Sequence, residues 1–557
     1  MKSNWMRRGL LAALVVMLGA CSKEATENVV TDKPSEGAAS AEALQVLATS
    51  DLKDLEPLAA QIQQATGVAV KFRFGGTMES TQEVLSGDSG NKPKPDVAWF
   101  ANAKYLLSDK VGQQRVKVQE KIMLSPIAIG VSESDAKRYG WIDRKMSWAD
   151  ITAAAKAGQL NYAPSNPATS NQGFMALLGV VAAAGQSGEA LTAADVDRGA
   201  IADFLKGYKI VGDNSTYLAE QFTKQQGTRA NAFINYESWL LTLNASGKLR
   251  EKLHLIYPHE GVSTADYPLM LLNEAKRADY VKVVEFLKGD NTQTWLARQT
   301  LRRPIKSELA KQFEDILPAR GMQIELPFSP DRQLADGLID AYLNEFRRPI
   351  ASTFVLDTSG SMQGGGRRDQ LIEAIHYIAG ADASLTGRVA KLTNRERLWF
   401  LPFSGSVGRP EPFEIPAGTP VKKGVAPVAD TEAKLAELKR VRDAADALRM
   451  DGGTALYDAV LEGLGHMLRE RKKSPAYQYS VVVFTDGKRT AGRDLEEFKR
   501  EYEALPEDVK AIPVFMVLFG DAAEAELKAV VELTGGKVFD ARKTPLYAVF
   551  KDIRAYQ

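Results

Sequence analysis

A single cysteine, Cys21, stands among 557 residues, which excludes any intrachain disulfide. Histidine is almost as scarce: His254, His259, His376 and His466 are scattered, show no metal-ligand spacing and support no Ser/His/Asp arrangement. Aspartate and glutamate are plentiful, yet no pair stands out as acid and base, so the sequence points to no enzyme. No G-x-x-x-x-G-K-[ST] loop and no internal repeat occurs. A formal charge of +1 gives no bulk attraction to nucleic acid. Beyond residue 20, no run is long and apolar enough for a transmembrane helix.

What is present begins at the N-terminus. Lys2, Arg7 and Arg8 precede an apolar run over residues 9–20, too short to span a bilayer comfortably, which reads as a signal-peptide core. It ends in Leu18-Gly19-Ala20-Cys21. This resembles a bacterial lipobox, which implies removal of residues 1–20 and lipidation of Cys21; an ordinary secretory signal is the alternative. Residues 21–41 are polar and without apolar periodicity, as expected of a disordered tether reaching ~25 Å. The expected location is the bacterial cell envelope, lipid-anchored and periplasm-facing, with Ser22 after Cys21 favouring outer-membrane sorting.

The most informative motif lies far downstream. Asp357-Thr358-Ser359-Gly360-Ser361 follows the apolar run Phe354-Val355-Leu356, and is answered by Gly452-Gly453-Thr454-Ala455-Leu456-Tyr457-Asp458 and by Val481-Val482-Val483-Phe484-Thr485-Asp486-Gly487. Carboxylates and hydroxyls at strand-to-helix turns form an all-oxygen set suited to a hard cation, Mg2+ or another divalent ion. Alternate side chains in D-x-S-x-S can converge on one ion, although Ser and Asp also cap helices at such turns. In its ordered trio the chain over residues 349–557 resembles the von Willebrand factor type A family. That resemblance implies a metal-ion-dependent adhesion site at Asp357, Ser359, Ser361, Thr454 and Asp486, binding a protein partner whose carboxylate completes the metal's coordination. Asp458 has two readings, orienting a metal-bound water or serving the helix surface.

Around the motif, strands and helices alternate: a strand over 398–404, helices over 432–448 and 454–471, a strand near Val481, another over 514–519 and a helix over 524–533. The expected architecture is α/β, doubly wound, with a mostly parallel sheet. Pro402 pushes the 398–404 strand toward an edge or a bulge. Gly364-Gly365-Gly366 reads as a loop before a helix.

Residues 42–348 carry a second α/β pattern: a strand over 44–48, an amphipathic helix over 52–66, a strand over 68–74, and turns at Gly75-Gly76-Thr77 and over 96–102. Later segments are Tyr162 through Gly173, Ile234-Asn235-Tyr236-Glu237-Ser238 and Ile256 through Gly261. In their order they resemble the periplasmic solute-binding protein family, two-lobed with a double crossover. The resemblance implies a small polar or anionic solute held by Ser50, Gly76, Thr77, Ser170 and Asn171, with Tyr236 and Glu237 nearby; for each residue alone, turn or cap duty is the alternative.

Leu334, Ile339, Leu343 and Phe346 recur near helical spacing, and the chain passes through Arg347-Arg348-Pro349 without a Gly/Ser linker, so the two domains are expected to be held close. The leading expectation is a lipid-anchored protein that binds a partner through a divalent cation. Two alternatives remain: a solute receptor for transport or signalling, with the type A domain as docking piece, and an envelope subunit of an assembly machine.

Overall fold

The computed structural model describes residues 42–556 apart from 186–191, 211, 213–214, 319–323, 327–330, 382–384, 420, 422, 487–488, 520–523 and 545. The signal peptide, Cys21 and the tether lie outside the described residues. Ala43–Gln557 forms one compact unit.

Among the described residues, three sheets organise it. The first contains β1 (Leu44–Thr49), β2 (Val70–Gly75), β3 (Val97–Trp99), β4 (Val118–Lys121) and, returning much later, β10 (Pro268–Leu271), in the order β2-β1-β3-β10-β4. The second is built on β5 (Met123–Ser132), with β6 (Tyr162–Pro164), β7 (Ala232–Tyr236), β8 (Leu253–Ile256), β9 (Thr264–Ala265) and β11 (Arg303–Pro304). The chain thus leaves the first sheet after Lys121 and comes back at Pro268, crossing between two lobes twice. At the return crossing Tyr267 is fully buried with φ at 41°, a left-handed backbone costly for an aromatic residue. Its N–H donates to the Ala101 carbonyl at 3.1 Å and its carbonyl accepts the Trp99 indole N–H at 3.0 Å, so both neighbours hold the crossing in place.

Two expectations for the first lobe are corrected. The helix over 52–66 is broken: Ser50–Leu55 is a 3-10 turn and the α-helix runs only over Leu58–Thr66, because Pro57 has no N–H to continue the ladder. The turn over 96–102 contains β3, buried at every residue between β1 and β10.

The third sheet comprises β12 (Ile350–Asp357), β13 (Arg397–Phe403), β14 (Glu411–Glu414), β15 (Gln478–Thr485), β16 (Val514–Leu518) and β17 (Val538–Asp540), in the order β14-β13-β12-β15-β16-β17. All pairs are parallel except β13 with β14. β12 is buried at all eight positions, and its side chains alternate between two cores: Phe354 and Leu356 join one, Ala351 and Val355 the other. Burying each larger side chain of this strand contributes about 1.5–3 kcal/mol. Pro402, expected at an edge or a bulge, sits inside β13. β14 pairs only as far as Phe400, so the missing N–H of Pro402 falls beyond the last antiparallel pair.

The core of the lobes extends into the part of the chain that carries the third sheet, while the sheet's own strands pack into two other clusters. The Arg332–Ala341 helix continues as a wide turn over Tyr342–Phe346, and its Leu334, Leu338, Ile339 and Leu343 join the same apolar cluster as the lobes. Val389 and Val425, which follow β12 in the chain, join it too. Gly424, at φ +66°, passes so close that an added Cβ would meet the Ala193 carbonyl oxygen at 2.2 Å, and the next N–H, of Val425, donates to that oxygen at 2.8 Å. A buried knot of charge ties the junction to the C-terminal helix: Glu396 accepts from Arg347 at 2.7 Å and from Arg554.

Candidate functional site

Two sites stand at carboxyl ends of parallel strands, where open α/β sheets place ligands. The first is a cavity of about 400 Å3 between the lobes. Ser50 and Asp51, after β1, and Gly75, Gly76 and Thr77, after β2, form one wall; Thr169, Ser170, Gln172, Ser215, Thr216 and Trp239 form the other. Three helices begin here, over Thr77–Ser86, Asn171–Gly185 and Ser215–Gln225. At the first, Gly76 has no side chain to cap the opening turn, so backbone N–H groups face the cavity wall unclaimed by a cap. Ser215 Oγ accepts from Gln172 Nε2 at 2.7 Å and Asn235 Nδ2 at 3.0 Å, which leaves its own proton for a ligand oxygen. Thr169 is buried, and its Oγ1 has no hydrogen-bond partner.

Charge at this cavity is mixed. Burial pushes the Asp51 carboxyl up, with Arg302 among the groups opposing it. Lys551 and Asp552 reach the cavity from the C-terminal helix, Leu546–Tyr556, which packs beside the third sheet. Lys551 Nζ lies 3.1 Å from Glu79 Oε2 in the first turn of the Thr77–Ser86 helix. Burial raises the Glu79 carboxyl, but Lys551 outweighs it and holds the group below the usual range.

Of the residues expected from the sequence, Ser50, Gly76, Thr77 and Ser170 line this cavity and Asn171, Tyr236 and Glu237 do not. Asn171 turns its amide to the buried Tyr236 hydroxyl, 2.7 Å away. Glu237 is fully buried, paired with Arg303 at 2.6 Å and accepting from the Tyr257 hydroxyl at 2.5 Å. These three hold the second lobe together. Thr169, Ser215 and Thr216 were overlooked although hydroxyls at a helix start are the same signal that found Ser170, and the Gln172 amide was overlooked with them. Lys551 carried no signal, since it is brought in from another sheet.

The second site lies at the switch in strand order between β12 and β15. Asp357 Oδ1 accepts the Ser359 N–H at 2.9 Å and its Oδ2 accepts the Thr485 hydroxyl at 2.6 Å. The Ser359 and Ser361 hydroxyls are 3.0 Å apart, and Ser361 Oγ donates to Asp486 Oδ1 at 2.9 Å. Asp357, Ser359, Ser361 and Asp486 are therefore linked in one oxygen cluster. The Thr454 loop lies alongside, where Gly360 N–H donates to the Gly452 carbonyl at 3.0 Å. Burial, and lesser repulsion from Asp486, push the Asp357 carboxyl up although Ser359 and Thr485 donate to it. The sequence did not reveal Arg367, whose Nη1 pairs with Asp486 Oδ2 at 2.6 Å. Asp458 is engaged elsewhere, accepting the Arg493 backbone N–H at 3.2 Å and pairing with its guanidinium. Among the described residues no group of three or more His, Cys, Asp or Glu side chains is placed to hold a metal, so a cation at this cluster would depend on the hydroxyls.

The family described as bacterial extracellular solute-binding protein matches residues 44–302. No curated protein matches the chain. Solved structures with a similar course include the periplasmic binding protein AfuA from Actinobacillus pleuropneumoniae with fructose-6-phosphate bound, at 15% identity, covering 55% of this chain and 98% of that one with a TM-score of 0.41. The ferric binding protein from Campylobacter jejuni is 14% identical, covering 54% of this chain and 96% of that one with a TM-score of 0.39. Iron-bound HitA from Pseudomonas aeruginosa is 15% identical, covering 53% and 98% with a TM-score of 0.39. Residues 44–302 are thus similar to the bacterial extracellular solute-binding family; in this chain they form two lobes, followed in the same compact unit by a mostly parallel α/β sheet.

Proposed function

We propose that this chain is an envelope solute receptor whose cleft holds a small polar solute bearing an anionic group, with the third sheet as the piece that docks to a transport or signalling partner. One observation carries the reading: three helices from two lobes begin at the wall of a single cavity of about 400 Å3. Helix starts present N–H donors and partial positive charge to an anion, and Lys551, paired with Glu79, brings its ammonium to the same wall. Asp51, on the same wall, suits a hydroxyl or ammonium elsewhere on the solute. The full chain, purified without denaturation, is expected to release a bound small molecule in native mass spectrometry, and Ser170→Trp, which fills the cavity, to release none. Equal release from both would overturn the assignment to this cleft.

The linked cluster of Asp357, Ser359, Ser361 and Asp486 favours a second reading, a metal-ion-dependent adhesion site of the von Willebrand factor type A kind. The donor set fits a hard cation: two carboxylates and two hydroxyls in mutual hydrogen-bond contact, with Thr454 on the adjoining loop. Mg2+ held there would supply an electrophilic centre for a partner's carboxylate. This chain's own residues would hold the cation, and Arg367 would have to leave Asp486. Calorimetric titration of Mg2+ into the full chain should give binding that disappears in Asp357→Ala/Asp486→Ala; no binding to either would refute the site.

Lipidation at Cys21 and an envelope location, with the outer membrane favoured, complete the proposal. Mass spectrometry of the N-terminal fragment of the processed protein should find an acylated Cys21; an unmodified cysteine or an intact signal segment would refute it.

A further inference from the structure

A larger cavity, of about 670 Å3, lies at the opposite end of the third sheet, where Gln478 opens β15 and Pro513 precedes β16. Its wall brings together Arg229 from the second lobe, Arg348 from the junction and Arg471 from the last turn of the Leu456–Lys473 helix. Arg348 donates to the carbonyls of Pro475, Ala476 and Tyr477 at 3.0, 3.2 and 2.8 Å, and Arg471 donates to that of Asp508 at 2.7 Å. Those carbonyls orient the guanidiniums, and their dipoles offset part of the charge.

Among the described residues no carboxylate pairs with any of the three, and the lining glutamate, Glu507, is taken by Lys510 at 2.9 Å. The cations feel one another instead. Desolvation, then Arg348 and Arg471, hold Arg229 below the usual arginine range; desolvation, then Arg471, do the same to Arg348. Lys209 beside them is lowered by desolvation, then by Arg348 and Arg229. A counter-charge entering the cavity would relieve that repulsion. Arginines from three separate elements lining one volume suit a tetrahedral oxyanion better than a planar carboxylate, which is served by one fork.

We infer that this cavity binds a phosphorylated ligand carrying two or more negative charges, at the seam where the second lobe meets the third sheet. The site is separate from the interlobe cleft and involves none of its residues. The ligand is a soluble phosphate compound or the phosphate of a lipid headgroup.

The test titrates pyrophosphate calorimetrically into the full chain at low ionic strength, and separately floats the chain with phosphatidylcholine vesicles containing phosphatidic acid. Saturable pyrophosphate binding, weakened about tenfold or more in Arg229→Gln/Arg471→Gln and unchanged in Ser170→Trp, supports a soluble ligand. Flotation that needs phosphatidic acid and is lost in the same double variant assigns the lipid source. Should the double variant lose its cooperative melting, Arg229→Gln alone serves, because among the described residues its guanidinium makes none of the carbonyl hydrogen bonds that tie Arg348 and Arg471 to the fold. Absence of both kinds of binding, binding unchanged by the substitutions, or citrate binding as tightly as pyrophosphate would overturn the inference.

Discussion

Substituting Glu396 by glutamine tests how the solute-binding part and the third sheet are joined. Glu396 is 1% exposed and is shared by Arg347, 7% exposed, and Arg554, 3% exposed, so three formal charges sit out of water around one carboxylate oxygen. Burial lowers the Arg347 guanidinium to about 10, with Glu396 opposing that shift and Arg554 adding to it. The substitution preserves shape but strands two guanidiniums, and breaking a buried pair in this way costs about 3–5 kcal/mol. An exposed pair would cost only about 0–1 kcal/mol, so the two cases separate clearly. Burial raises the Glu396 carboxyl, but Arg554 and Arg347 outweigh it and hold the group below the usual range. Its contribution is therefore present above the ordinary glutamate pKa and lost as pH falls through the depressed value. Urea unfolding of wild type and Glu396→Gln at neutral pH should show the full loss, with the gap narrowing in acid. A loss under about 1 kcal/mol at neutral pH would refute the claim that this knot carries the junction.

Four further outcomes are expected. Lys551→Ala should weaken solute binding at the interlobe cleft while leaving the lobes folded, as read by the Trp239 emission response; unchanged affinity would remove the C-terminal helix from the site. Glu79, depressed by Lys551, contributes stability at neutral pH that is lost as pH falls through its folded value, so Glu79→Gln should destabilise at neutral pH and match wild type in acid, checked by thermal melting at the two conditions. Gly424→Ala forces an L residue into positive φ against the Ala193 carbonyl and should lower stability by about 1–3 kcal/mol in chemical denaturation, whereas a neutral effect would mean that the contact is slack. Arg367→Ala frees Asp486 and should tighten Mg2+ in calorimetry; weaker Mg2+ binding would give Arg367 a supporting role instead.

Much of the third sheet was legible because its strands are buried on both faces and read as continuous apolar runs, as in Val481 to Phe484. The oxygen cluster was legible for the same reason: a carboxylate ending such a run needs a stated partner. β3 was missed because a three-residue strand between charged and polar stretches has no periodicity to detect. Pro57 broke a helix whose apolar pattern continued across it, and Pro402 was accommodated by the early end of β14. Half of the cleft could be found from hydroxyls and glycine at helix starts. The remainder, Lys551 above all, depends on which sheet packs against which lobe, and local sequence does not carry that information. The same holds for Asn171, whose residue type suits a ligand but whose amide is spent on Tyr236.

The central claim is that the interlobe cleft captures a solute, and Trp239 on its wall gives a direct readout. The measurement is a titration of the full chain with a small-molecule filtrate of bacterial extract, followed by tryptophan emission, beside Ser170→Trp and Trp239→Phe. The account predicts a saturable change in wild type that Trp239→Phe abolishes, together with binding by calorimetry that Ser170→Trp abolishes. A wild-type chain that shows no saturable change, or a filled cleft that binds as well as the open one, would contradict it.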